Sequence, residues 1–115
     1  MTRFRALQMS LDVIVEIRDV VDVIRRRSRD LADQMERAAT SVALNIAEAS
    51  RRTGKDRAYR FRVANGSADE VRCALKVAVA WRYVQESDVR SGLQLLDDLA
   101  GMLWALSGGR RCRSG

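Results

Sequence analysis

The sequence predicts an all-α protein, an antiparallel up-down four-helix bundle, and three observations carry that prediction. Proline is absent from all 115 residues, which suits uninterrupted helices and disfavours a Pro-punctuated β architecture. Apolar residues recur at three- and four-residue spacings in four successive stretches, the rhythm of helices with one buried face. The breaks between stretches are short, so neighbouring helices should run antiparallel. The length fits one domain, expected over residues 1–109, and the basic residues 110–115 are expected to form a disordered tail.

The first stretch, about residues 6–26, also alternates as a strand would, through Leu11, Val13, Val15 and Ile17. Its charges decide for a helix. Asp12, Glu16 and Asp19 recur at four and three, opposite Val13, Ile17, Val20 and Ile24 at four, three and four. A basic link, Arg25 to Arg29, follows, with Ser28 a fitting N-cap. Helix two is expected over 29–50, burying Leu31, Met35, Ala38, Val42, Ile46 and Ala49. Thr53 with Asp56 three residues on has the form of a capping box, so helix three should start near Gly54 and run to about Val84. Its inner face reads Phe61, Ala64, Ala68, Val71, Leu75 and Ala78, beside a polar stripe Arg62, Asn65, Asp69, Arg72 and Lys76. Gly66 within it implies close backbone packing. Ser87 is the expected cap of helix four, and Gly108-Gly109 its stop.

Helix four carries two apolar stripes, Val89, Leu93, Leu96, Ala100, Leu103 and Leu95, Leu99, Met102, Leu106. Helix three repeats this late on with Val77, Ala80, Trp81 and Val84. One core needs one stripe per helix, so Val77, Trp81, Val84, Leu95, Leu99, Met102 and Leu106 are expected to form a subunit interface of a homo-oligomer. A wide core face is the alternative.

Formal net charge is +6 and the sequence pI about 10.3, carried by arginine with only Lys55 and Lys76 as lysines. That balance favours an anionic partner, most often nucleic acid. The alternative is arginine used as a generic solvated charge. Cys73 and Cys112 make neither a disulfide framework nor a zinc site and read as free thiols. Asp12, Glu16 and Asp19 interrupt the first apolar stretch, which excludes a signal peptide or membrane span there and points to the cytoplasm.

Histidine is absent, which removes Glu-x-x-His di-iron sites, histidine triads and histidine-dependent nucleases. No Cys/His metal spacing and no Gly-rich phosphate loop occurs. The acid pairs Asp69-Glu70 and Asp97-Asp98 are adjacent in sequence and so diverge on a helix. No enzyme and no cofactor is expected.

The strongest local signal is the run Arg51, Arg52, Lys55, Arg57, Arg60 and Arg62, with only Asp56 opposing. It adjoins the positive N-terminus of helix three, and arginine forks fit phosphate without reading sequence. The alternative is a solvated turn paired to acids of a neighbouring helix or subunit. Tyr59 and Phe61 within the run read as packing. A second constellation, Arg37, Ser41, Asn45, Glu48 and Arg52, falls on one face of helix two beside its apolar stripe. Asn45 or Glu48 there needs a partner, which Arg37 or Arg52 could supply, so a hydrogen-bonded network that fixes register or a subunit contact is expected before a ligand site.

The segment Arg37-Ala38-Ala39-Thr40-Ser41-Val42-Ala43-Leu44-Asn45-Ile46-Ala47-Glu48-Ala49-Ser50 resembles the signature of the bacterial four helix bundle protein family. That family includes proteins encoded in intervening sequences of the large-subunit ribosomal RNA gene. It is related to the accessory variability determinant of diversity-generating retroelements. The likeness continues through Lys55-Asp56, Arg60-Phe61 and Ala64-Asn65-Gly66-Ser67-Ala68-Asp69-Glu70. The family usually has glycine where Ala49 stands and a longer link between helices one and two. The resemblance implies an up-down bundle assembled as a homopentamer with a basic surface, and the family's retroelement relatives bind a reverse transcriptase and nucleic acid. The expectation is therefore a non-enzymatic oligomeric module that contacts RNA or DNA phosphates beside a nucleic-acid enzyme. The alternative is a protein–protein scaffold.

Overall fold

A computed structural model of the chain describes residues 2–109. It has four helices, α1 (Thr2–Arg27), α2 (Arg29–Ala49), α3 (Gly54–Ala80) and α4 (Glu86–Leu106), and no strand among the described residues. Consecutive helices pack on one another and α4 also packs on α1, so the four enclose one core. The expected disordered tail and Cys112 lie outside the described residues, while Cys73 is an exposed free thiol. No helix among them is long and apolar enough to cross a membrane.

The core takes Val13, Ile17, Val21 and Ile24 from α1, Met35 and Ile46 from α2, Phe61, Val71 and Leu75 from α3, and Leu96, Leu99 and Leu103 from α4. Fully burying a side chain of this size contributes about 1.5–3 kcal/mol. Along α2 and α3 much of the buried set is alanine, including Ala32, Ala38, Ala39 and Ala49 of α2 and Ala64, Ala68 and Ala78 of α3. Small residues at a contact let helices approach closely. The strand-like alternation of α1 is explained by two helical faces: Val13 and Ile17 are buried while Leu11 and Val15 point to solvent.

The link between α1 and α2 is one residue. Ser28 is extended, at φ −152° and ψ 100°, and its Oγ accepts from the Leu31 backbone N–H at 3.2 Å, as its sequence position predicts. Arg25 closes this corner on Asp33 at 2.6 Å and on Glu36 at 2.9 Å. The hydrogen bond to Asp33 is the main reason its guanidinium is held more firmly protonated than usual.

Three boundaries differ from the sequence reading. Thr53 occupies the N-cap of α3 but its hydroxyl makes no cap bond, and the Asp56 carboxylate pairs with Arg52. Helix α3 stops at Ala80, not near Val84: the Tyr83 and Arg82 N–H groups donate back to the Ala78 and Val79 carbonyls, with Arg82 at φ +65°. This is a Schellman ending with arginine where glycine is usual, at a backbone cost of roughly 1–2 kcal/mol. Gln85, not Ser87, precedes α4, its N–H donating to Asp88 Oδ2 at 2.9 Å. The same ending closes α4 with glycine in place, Gly108 at φ +83°.

The expected outer stripe is largely inside. Leu99 and Val84 are buried in the chain's own core, and Leu95, Met102 and Leu106 pack against it, so α4 has one wide inner face. The exit of α3 at Ala80 is what swings Val84 inward. Val77 and Trp81 remain exposed. Gly66 is not a close-packing glycine either: nothing stands within 4 Å of where a Cβ would lie. That role falls to Gly92, where a Cβ would meet Ile17 Cγ2 at 2.9 Å.

Candidate functional site

The end of α2, the link and the first turns of α3 bring the basic run together, and the fold then divides it. Arg52 is taken up by acids on both sides. Its Nε and Nη2 donate to one Glu48 oxygen at 2.9 and 2.7 Å, and its Nη1 to Asp56 at 2.9 Å. The hydrogen bond from Arg52, reinforced by its charge and those of Arg51 and Arg60, holds the Glu48 carboxyl below its usual range. The bond to Glu48, followed by that to Asp56, raises Arg52 in turn. The sequence run had one opposing acid; the fold supplies a second from the preceding helical turn.

Arg57 and Arg60 turn inward along α3. Arg57 lies over the buried Phe61 ring, 5.5 Å from its centroid, and Arg60 over Tyr59 at 6.0 Å. Such cation–π contacts hold a guanidinium in place. Their Nε atoms are buried without an acceptor among the described residues. Arg51, Lys55 and Arg62 are exposed, and no ion pair holds them among the described residues. Lys55 and Arg62 stand seven residues apart on one face of α3. Gly54, at φ +59°, opens that helix in the left-handed region, which glycine enters without a Cβ penalty.

The second constellation is a seam between α2 and α3. Ser41 Oγ lies 2.9 Å from Oγ of the buried Ser67, and Asn45 Nδ2 donates to the Ser41 carbonyl at 2.9 Å and to its Oγ at 3.1 Å. Arg60 Nη1 reaches Asn45 Oδ1 at 3.4 Å. The seam therefore joins Ser41 and Asn45 to α3, as expected of a register-fixing network, and Glu48 and Arg52 to the link. Arg37 stays outside it, exposed beside Gln34 and Glu70. The sequence reading missed Ser67 as the partner; the Gly66-Ser67 pair carries no signal of which helix it faces.

The arrangement provides three accessible cations over the start of α3 and two arginines held on aromatic rings beside them. Among curated proteins, none matches this chain. A solved structure from Bacteroides thetaiotaomicron, described as a protein of unknown function from the S23 ribosomal protein family, superimposes with a TM-score of 0.84, covering 94% of this chain and 99% of that one. At 19% identity the likeness is one of fold. The model of the 23S rRNA-intervening sequence protein family matches residues 2–105, nearly the whole chain, and the protein therefore belongs to that family.

Proposed function

We propose that this protein is a non-enzymatic cytoplasmic module, an antiparallel up-down bundle assembled as a homo-oligomer, a pentamer in line with the family resemblance, that binds RNA or DNA through backbone phosphates. Its context is an accessory role beside a nucleic-acid enzyme such as a reverse transcriptase. The observation that carries the reading is the exposed cation set Arg51, Lys55 and Arg62, left without ion pairs among the described residues while Arg52 beside them is neutralised. Arg57 and Arg60, stacked on Phe61 and Tyr59, support the surface from behind. Assembly is supported by large apolar side chains left at the surface, Leu11 and Val15 on α1 and Val77 and Trp81 at the end of α3.

Binding of labelled single- and double-stranded RNA and DNA across a salt series tests this, with light scattering to follow assembly. Three phosphate contacts per engaged subunit give a log–log salt slope of about −3 on duplex DNA, against about −5 for all six cations. The variant Arg51→Ala, Lys55→Ala, Arg62→Ala should abolish that slope. Binding that the variant retains would overturn the reading. A second reading, a protein scaffold, is favoured by the Glu48–Arg52–Asp56 pairing, which uses cationic charge internally. It predicts association that salt hardly changes.

A further inference from the structure

The polar stripe of α3 is not absorbed by the basic corner. Arg62, Asn65 and Arg72 line one side of a groove of about 410 Å³ between α3 and α4, and Trp104 lines the other. Trp104 is half exposed, at 51%, yet its indole is held in place. Gly109 N–H donates to the Trp104 carbonyl at 3.0 Å, and Gly108 at φ +83° turns the chain back over the ring. A Cβ at Gly109 would stand 2.3 Å from the indole, so only glycine lets the backbone lie there. The turn thus covers part of the ring, and the remainder borders the groove.

The groove has room and a polarity. Gly66 forms part of its lining, with nothing within 4 Å of where a side chain would start. At one end Arg72 is bound by Asp97 at 2.8 Å and by Asp69 at 3.2 Å, two carboxylates to one guanidinium, so that end carries one negative charge in excess. At the other end Arg62 has no ion pair among the described residues, and Lys55 follows on the same face two turns nearer the start of α3. Between them the Asn65 amide has no hydrogen-bond partner among the described residues. An anion would be attracted to the Arg62 end and a neutral, flat, hydrogen-bonding group to the rest.

We infer that this groove is a subsite for one nucleobase of a single-stranded nucleic acid. The base stacks on Trp104, presents its hydrogen-bonding edge to the Asn65 amide, and leaves its flanking phosphates to Arg62 and Lys55. Every base has a π face, so stacking tolerates sequence, whereas a paired base in a duplex cannot enter. The subsite rests on the nucleic-acid reading above and adds to it the strand state and a contact to the base itself.

The test uses the protein with Trp81→Phe, its assembled mass matched to the parent's by light scattering, which leaves Trp104 as the one tryptophan of the chain. Its fluorescence is titrated with oligo(U), with oligo(dT) and with an abasic oligonucleotide of equal length. Either base-bearing strand should quench Trp104, and the abasic strand should bind about 5- to 150-fold more weakly without quenching, the range expected for one stacked base. Trp104→Ala should lose the same factor with an unchanged salt slope, and Trp104→Phe should keep part of it. Equal affinity for the abasic strand, or binding without quenching, would overturn the subsite and leave the phosphate reading standing. Failure of every strand to bind would overturn both. A Trp104→Ala protein whose assembled mass changes would assign the ring to a subunit contact and refute the subsite.

Discussion

Gly66 and Gly92 stand in the interiors of α3 and α4, where each costs its helix about 1 kcal/mol against alanine. Their surroundings give the same substitution opposite signs. At Gly66 a methyl meets open space, so Gly66→Ala should raise the unfolding free energy by about 0.5–1 kcal/mol. At Gly92 it meets a branched methyl of the buried Ile17 at 2.9 Å. Overpacking costs about 1–3 kcal/mol, more than the gain in propensity, so Gly92→Ala should lower stability. Parallel urea titrations decide this, and a stabilised Gly92→Ala protein would refute the close α1–α4 approach. Sequence position alone ranks these glycines alike. Ser67 illustrates the same blindness, since its worth lies in a hydroxyl 2.9 Å away on α2.

At the scale of elements, the links are fixed by charges drawn from neighbouring turns. Glu48, Arg52 and Asp56 run from the last turn of α2 across the link into the first turn of α3. The Glu48 carboxyl titrates below its ordinary value of 4.5 because Arg52 hydrogen-bonds its charged form. A depressed acid adds stability that is present above the unfolded-state value and disappears as pH falls through the folded one. Stability should therefore decline below about pH 4.5, and Glu48→Gln should flatten that part of the decline while lowering stability near neutrality. Thermal unfolding from pH 7 to 3 checks it, and an unaltered acid limb would show that the pair is a solvated contact only. Helix ends follow their own chemistry: α4 ends at a glycine that the sequence announces, α3 at Arg82, which does not announce itself.

For the whole molecule, the decisive property is how the fold sorts side chains of one kind into different roles. Six cations close in sequence become three exposed ones, one ion-paired and two stacked on rings. The apolar residues are sorted likewise: the second stripe of α4 enters the core, while Leu11 and Val15 of α1, each at least 43% exposed, are left outside. If subunits assemble through that face of α1, Leu11→Glu with Val15→Glu should reduce the assembled mass by light scattering. Surface changes of this sort usually alter stability by less than about 0.5 kcal/mol each, so the bundle itself should survive. An unchanged mass would exclude this face.

Helix number, the approximate spans, the buried faces of α2 and α3 and the Ser28 cap were legible in the chain because they depend on local periodicity and on side chains reaching their own neighbouring turns. The signature Ser41–Asn45–Glu48 was legible as a polar seam for the same reason, since an amide or carboxylate beside an apolar stripe requires a partner. Arg52 as the partner of Glu48 was legible too, but Ser67 as the partner of Ser41, the sharing of Arg52 with Asp56, the burial of Leu99 and Val84, and the groove under Trp104 were not. Each depends on which residues of another helix arrive opposite, and helical period sets the faces of one element without fixing the rotation and register between two. Only the packed bundle decides those, because close packing leaves each side chain one set of neighbours.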